Sequence, residues 1–130
     1  MMGTTDHLAG ERELIRALFA ALDRGDIPTL SSYLHDDVVV ILSNQEPICG
    51  AAAFAELYEQ VSGALAGLRH EIHDVWRATE DPAVWIVRMT VHYTRLDGTT
   101  VSLPCCNVFR FAEDLVSEYL VFMDMTPVFA

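Results

Sequence analysis

Residues 91–129 read VHYTRLDGTTVSLPCCNVFRFAEDLVSEYLVFMDMTPVF, and this stretch decides the fold. Three apolar-rich runs with many β-branched residues are separated by two turn signals. Asp97-Gly98, between the first two runs, is a strong hairpin signal, because glycine accepts the positive φ that a tight turn requires. Ala112-Glu113-Asp114 has no glycine and is the weaker signal. Asp124 and Pro127 close the run.

Upstream the period changes. A helix is predicted over residues 6–24, with Ile15, Leu18, Phe19 and Leu22 at helical spacing. Gly25 stops it. Asp26 caps a short second helix with Pro28 in its first turn, and Leu30, Tyr33 and Leu34 face inward. Asp36-Asp37 break this pattern, residues 38–42 form a short buried strand, and residues 43–49 form a loop. Gly50 opens a third helix to about residue 66, with Phe54, Leu57, Tyr58, Val61 and Leu65 on one face. Strands are predicted at 68–79, 83–96, 99–111 and 115–125, with Glu80-Asp81-Pro82 turning the first into the second. Residues 1–5 show no pattern and read as frayed. Helices first and a long antiparallel sheet second is an α+β plan. A long curved sheet around the helices makes a cone with an open mouth, and pockets favour such concavities.

At 130 residues the chain is expected to form one domain over residues 1–130. A chain of this length buries roughly two-thirds of its unfolded surface, so one core suffices. No apolar run approaches the ~18 residues of a membrane helix, and the first residues lack the basic start and apolar centre of a signal peptide. A formal charge of −11 repels nucleic acid, anionic membranes and polyanionic substrates. The cysteine count is odd: Cys49, Cys105 and Cys106. Together with the missing export signal, that predicts reduced thiols and a cytoplasmic location.

The chain resembles the nuclear-transport-factor-2-like superfamily and, within it, the SnoaL-like proteins. The carriers are Ala20-Ala21-Leu22-Asp23-Arg24-Gly25-Asp26, Gly50, and Arg69-His70-Glu71-Ile72-His73-Asp74-Val75-Trp76. Tyr93-Thr94-Arg95-Leu96-Asp97-Gly98, Leu103-Pro104 and residues 119–127 complete the set. The resemblance spans nearly the whole chain and implies a cone-shaped α+β barrel, three N-terminal helices packed in a curved, mainly antiparallel sheet. It says less about chemistry, because the superfamily hosts isomerases, dehydratases, epoxide hydrolases, polyketide cyclases and non-enzymes. Ketosteroid-isomerase-like members carry a helix-one tyrosine, where this chain has Leu18. Their first-strand aspartate falls at or near Leu42, and their protonated acid falls on Asn107. Epoxide-hydrolase-like members need an Asp-Arg-Asp set. Arg95-Leu96-Asp97 has the local look, but Asp97 lies in the turn and the last-strand aspartate falls near Val121. SnoaL-like cyclases use an aspartate on the late strands, and Asp124 is the carboxylate that can be placed there.

Asp97-Gly98 taken as a two-residue turn sets Thr94 opposite Val101, His92 opposite Leu103, Thr90 opposite Cys105 and Arg88 opposite Asn107. Alternation then gathers Arg88, Thr90, His92, Thr94, Leu103, Cys105, Asn107 and Phe109 on one face. Trp85, Val87, Met89, Val91, Tyr93, Cys106 and Val108 share the other. The isomerase comparison turns the first face into the cone and leaves the apolar face to be covered by a second subunit, hence a homodimer through the outer sheet face. Periodicity alone favours the reverse, with the apolar face on the helices and Arg88, Thr90 and His92 in water.

On the cone reading His92 is the acid–base candidate, since imidazole titrates near neutrality. Asp124 near the mouth is the second catalytic candidate. Asn107 can donate to a ligand carbonyl, Arg88 can clamp a carboxylate or pair with an acid, and Thr90 lies between them. Tyr33, Tyr58 and Trp76 are expected as pocket walls with polar tips. His70-Glu71-Ile72-His73 is not a metal pair, because strand alternation sends the two imidazoles to opposite faces. No metal and no cofactor are expected. The expected ligand is a small, uncharged or weakly charged carbonyl compound, bound by a cofactor-free cyclase, isomerase or dehydratase working by proton transfer, or by a non-catalytic ligand-binding or dimerisation module.

Overall fold

Helix α1 (Thr4–Arg24) buries Ile15, Leu18, Phe19 and Leu22, the stripe its spacing predicts. Gly25 takes the left-handed conformation (φ +68°) that ends the helix. Helix α2 (Ile27–Ser32) is capped by Asp26, whose Oδ1 accepts from the Thr29 amide at 3.3 Å and whose Oδ2 accepts from the Thr29 hydroxyl at 2.7 Å. Helix α3 (Ala51–Gly63) starts after Gly50, which has φ +99° and donates its amide to Val38 O at 2.7 Å. The computed structural model describes the backbone of residues 4–129 and the side chains of residues 10–129. Helix α1 therefore begins inside the stretch expected to fray, and residues 1–3 lie outside the described residues.

The strands are β1 (Leu34–Leu42), β2 (Ile48–Cys49), β3 (Leu65–Arg77), β4 (Val84–Arg95), β5 (Thr100–Ala112) and β6 (Leu115–Phe122), followed by a 3₁₀ turn at Thr126–Val128. They form one curved, open six-stranded sheet in the order β2-β1-β6-β5-β4-β3. All neighbours are antiparallel except β1 and β6, which pair in parallel. Two sequence expectations are corrected at this end of the sheet. β1 starts at Leu34 and runs through Asp36-Asp37, with a register shift between Leu34 and Val39 that absorbs the acidic pair. The stretch expected as a loop also contributes β2, which pairs Val39 with Cys49 and Val40 with Ile48.

The decisive correction is at the Asp97 turn. Arg95 N donates to Thr99 O at 2.8 Å and Gly98 N donates to Arg95 O at 2.9 Å, with Gly98 at φ +89°. Leu96, Asp97 and Gly98 thus form a three-residue loop ending in a left-handed glycine, not a two-residue turn. Asp97 Oδ1 accepts from the Thr99 amide at 2.9 Å and locks it. The register moves by one: Val91 faces Leu103, Met89 faces Cys105 and Val87 faces Asn107. A one-residue slip flips one strand's side chains relative to its partner's. The inner face therefore carries Trp85, Val87, Met89, Val91 and Tyr93 together with Cys105, Asn107 and Phe109, all buried. Arg88, Thr90 and His92 lie on the outer face, so the single polar face expected to line the cone does not exist. The second hairpin uses Glu113 and Asp114, both at positive φ without glycine, between the paired residues Ala112 and Leu115.

Helices α1 and α3 pack into the concave face. Trp85 Nε1 donates to the buried Glu11 carboxylate at 2.8 Å, and the Arg12 guanidinium lies 5.1 Å from the Trp85 ring centre while donating to Val75 O at 3.0 Å. Phe109 stacks on Tyr119 at 4.6 Å, and Phe19 meets both rings edge-on. Among the described residues no helix is long and apolar enough to cross a membrane.

Candidate functional site

Between α1, α3 and the inner face of the sheet lies a cavity of about 90 Å³. Most of its wall is carbon: Leu22, Phe54, Val61, Leu68, Val91 and Val121 among others. Among the described residues, no lysine or arginine lines it. Its polar members are His70, Asn107, Cys105 and the hydroxyl-bearing Tyr58, Tyr93 and Tyr119.

His70 reaches the cavity because β3 pairs it with the inner residue Val91. Its Nδ1 stands 2.6 Å from Asp23 Oδ1, and its backbone amide donates to the same carboxylate at 3.0 and 3.1 Å. Asp23 sits in the last turn of α1, where the helix dipole disfavours a negative charge. These hydrogen bonds offset that cost. A carboxylate accepts, so Nδ1 is the donor in this contact and Nε2 is the ring nitrogen left for another partner. Phe19 packs against the ring at 4.9 Å and fixes its plane. On its other side Asp23 borders a separate cleft of about 170 Å³ near Arg24, Gly25 and Ser62.

Asn107 is 1% exposed. Its Nδ2 donates to Met89 Sδ at 3.4 Å and its Oδ1 accepts from Cys105 Sγ at 3.7 Å. Thioether and thiol are weak partners, so both ends of a buried amide remain poorly satisfied. Tyr58 donates its hydroxyl to Leu22 O, one of the end carbonyls of α1. Burial, with the Asp23 charge acting the same way, pushes its pKa up to about 12. Tyr93 donates to Met123 Sδ at 3.3 Å, and burial drives its pKa up. Burial also raises Tyr119 well above its ordinary value, with Cys105, Tyr93, Tyr58 and Asp23 adding to the effect, and pushes the Cys105 thiol up to about 11. All four are neutral hydrogen-bonding groups at pH 7.

A larger open cleft, about 570 Å³, adjoins the cavity and includes Ser43, Asn44, Phe122, Asp124 and Phe129. The residues singled out in the sequence scatter around these spaces. Tyr58 and Asn107 line the cavity. Asp124 lines the cleft, where its Oδ1 accepts from the Thr126 amide at 3.0 Å, and hydrogen bonds from Thr126 lower its pKa. His92 is on the outer face, with Nδ1 2.7 Å from Ser102 Oγ and Nε2 2.8 Å from Glu71 Oε1. Arg88 pairs there with Asp74 at 2.8 Å, and Thr90 meets His73 Nε2 at 2.8 Å. Trp76 is on the same outer face, 49% exposed, and Tyr33 closes α2 at the edge of the core. Arg88, Thr90 and His92 therefore stand apart from the cavity, because the hairpin loop is one residue longer than the turn assumed, and Trp76 does so because the register shift between Ile72 and Asp74 changes the phase of β3 and sets it opposite the outer residue Ile86. Tyr33 also falls outside the cavity wall.

The Asp23–His70 pair was not singled out in the sequence. Two signals mark it: an aspartate in a helix's last turn, and a histidine in phase with Leu68 and Ile72 on an inward-facing strand. His73, three residues on, faces outward, and among the described residues no group of three or more His, Cys, Asp or Glu could hold a metal ion.

The sequence model of the SnoaL-like domain matches residues 15–119. No curated protein sequence matches the chain. Solved structures share the fold. An LEH-like epoxide hydrolase from M. tuberculosis is 21% identical, with TM-score 0.79 over 93% of this chain and 87% of that one. TerC, co-crystallised with polyporic acid, is 20% identical, with TM-score 0.81 over 92% and 95%. A candidate polyketide cyclase from Pseudomonas putida is 23% identical, with TM-score 0.76 over 88% and 92%. The chain belongs to the SnoaL-like domain family.

Proposed function

We propose that this SnoaL-like chain binds a small neutral carbonyl compound in the inner cavity and moves a proton on it without a cofactor. The observation that carries the reading is the 2.6 Å contact between Asp23 and His70 at the wall of a cavity that also holds Asn107. His70 Nε2 takes a proton from the carbon beside the carbonyl, and Asp23 stabilises the imidazolium that forms. The charge that develops on the ligand oxygen is met by Asn107 Nδ2, which exchanges a weak sulfur partner for an oxyanion. The imidazolium then returns its proton: to another carbon, which gives isomerisation; to a departing β-hydroxyl, which leaves as water and gives dehydration; or to the alkoxide formed when the carbanion attacks a second carbonyl, which gives cyclisation. Asp23's second opening lets the pair exchange protons with water while the cavity is filled. TerC, which shares the fold, was crystallised with polyporic acid, so an organic ligand accompanies this fold in that protein.

The test needs no knowledge of the natural substrate. Deuterium uptake next to the carbonyl of cyclohexanone or 2-cyclohexenone in D₂O is followed by NMR. The wild type accelerates exchange, and His70→Gln removes about 10²–10⁴ of the rate, the usual contribution of a positioned base. Equal rates for wild type, His70→Gln and buffer, with ketone binding intact, would establish the non-catalytic module instead.

A homodimer through the outer sheet face is part of the proposal. Cross-strand pairing sets Trp76, Ile86, Val108, Leu120 and Ile41 in one outward row, with Phe122, 56% exposed, in the next. A contiguous apolar row on a charged surface marks an interface. Sedimentation should show a dimer that Val108→Lys dissociates; a monomeric wild type at 50–100 μM, that is about 10⁻⁴ M, counts against it.

A further inference from the structure

We propose that the Met123 side chain is the gate of this cavity and sets the size of the ring it admits, so that the ligand is a neutral cyclic compound with one polar atom on its inner ring and its remainder in the outer cleft. This rests on the ligand-binding reading above and adds the ligand's shape.

Volume is the first argument. The cavity holds about 90 Å³, whereas a dry apolar cavity that takes up benzene is about 150 Å³. A six-membered ring does not fit unless a wall moves. The adjoining cleft offers about 570 Å³, and among the described residues Met123 and Met125 alone line both spaces. Displacing the partition joins the two.

The second argument is what can move. The backbone around the partition is tied down. Ser43 Oγ donates to Met123 O, Asp124 accepts from the Thr126 amide at 3.0 Å, and Arg95 donates to Val128 O at 3.1 Å and to Pro127 O. The Met123 side chain has one polar contact, the Tyr93 hydroxyl on its sulfur at 3.3 Å. An unbranched thioether with three rotatable bonds changes rotamer readily. The gate is therefore a side chain on a fixed strand end, not a mobile loop. Its opening frees the Tyr93 hydroxyl, which then points a donor at the incoming ligand beside Asn107.

The third argument is charge. Among the described residues no lysine or arginine lines either space, and Asp124 stands in the cleft. An anion gains nothing on this path. Phe122 and Phe129, both exposed in the cleft wall, suit the flat apolar part of a ligand that extends from the cavity.

Binding of phenol and of 2-naphthol to the full chain, followed by calorimetry and by the Met123 ε-methyl NMR signal, tests this. Met123→Ala should tighten 2-naphthol about tenfold and phenol less than threefold. Met123→Phe should weaken both at least tenfold. Met123→Leu, which conserves volume, should stay within threefold of wild type and, with thermal melts of every variant, controls for folding. In the wild type the ε-methyl signal should shift on saturation. Phenol binding within twofold of wild type in both Met123→Ala and Met123→Phe, with 2-naphthol likewise unchanged and the methyl signal unmoved, overturns the gate. Asn107→Leu separates the two ideas: loss of phenol binding with the size trend retained in Met123 variants supports both. An unaltered affinity in Asn107→Leu overturns the role of the amide while leaving the gate standing. A wild type and Met123→Ala that both fail to bind either ring overturn both.

Discussion

Strand β4 carries two different environments on alternate residues. Trp85, Val87, Met89, Val91 and Tyr93 are all buried on its inner side, while Arg88 is exposed and Thr90 and His92 are half-buried on its outer side. Both sides hold polar groups, treated in opposite ways. On the inner side burial raises the pKa of Tyr93, and of Tyr58, Tyr119 and Cys105 nearby, which keeps those groups neutral. On the outer side partners hold carboxylates ionised: the His92 hydrogen bond lowers Glu71, and the Arg110 hydrogen bond lowers Asp81. A site for a neutral ligand needs the first treatment, in which a hydrogen-bonding group is desolvated and poorly satisfied. The Glu71–His92–Ser102 and Arg88–Asp74 networks satisfy themselves and lie in water, where such pairs add little.

The comparison can be broken most forcefully with the two tryptophans. Trp85→Ala removes a fully buried indole and the partner of Glu11, and should cost about 3–5 kcal/mol. Trp76→Ala, on the outer face, should cost below about 1 kcal/mol in the monomer. Urea unfolding followed by circular dichroism reads both, and equal losses would mean the faces are wrongly assigned. The two histidines come next. In the deuterium-exchange assay His70→Gln should fall by about 10²–10⁴, while His92→Gln stays within about twofold. A smaller effect is expected at the loop that sets the faces. Gly98 has φ +89°, so Gly98→Val should destabilise by about 1–2 kcal/mol, whereas Thr99→Val leaves the backbone conformation accessible.

The pH dependence should split along the same line. Tyr58 and Cys105 have folded pKa values raised from 10.0 and 9.0 to about 12 and 11. Their contribution to stability is complete below about pH 9 and is lost as pH rises through the folded values. Glu71 and Asp81 are lowered from 4.5 and 3.8, so their contribution is present above about pH 4.5 and lost as pH falls through the folded values. Urea midpoints should therefore decline at both ends. Phe substituted for Tyr58 should blunt the alkaline decline and leave the acid one unchanged. Thiol reactivity gives the smallest and simplest contrast: at pH 8 a maleimide should label exposed Cys49 well before buried Cys105.

Most of the fold was legible because its signals are local. Gly25, the Asp26 cap with Pro28, Gly50 and the Asp97-Gly98 turn each mark a boundary through their own backbone preference. What was not legible is the count of residues in one loop. Two-residue and three-residue hairpin loops can both be written with Asp-Gly, and the difference lies in whether Arg95 pairs with Thr99. That single count moved Arg88, Thr90 and His92 away from Asn107. The parallel pairing of β1 with β6 was hidden for another reason, since it joins residues far apart in the chain and leaves no local signature. The residues expected at a ligand pocket divide: Tyr58 and Asn107 line the inner cavity, whereas His92 lies on the other phase of the sheet. His70 alternates with Leu68 and Ile72, and Asp23 opposes its own helix dipole; the two meet only once α1 is laid across β3.

The central claim is that the inner face, with Asn107 and the Asp23–His70 pair, is where a ligand sits. The most direct measurement is an NMR titration of ¹⁵N-labelled protein with 2-cyclohexenone, following the Asn107 side-chain amide and the His70 and His92 ring nitrogens together. Large shifts at Asn107 and His70 with His92 unmoved are the predicted result. Shifts centred on His92 and the Arg88 and Thr90 amides, with Asn107 and His70 unmoved, would contradict it.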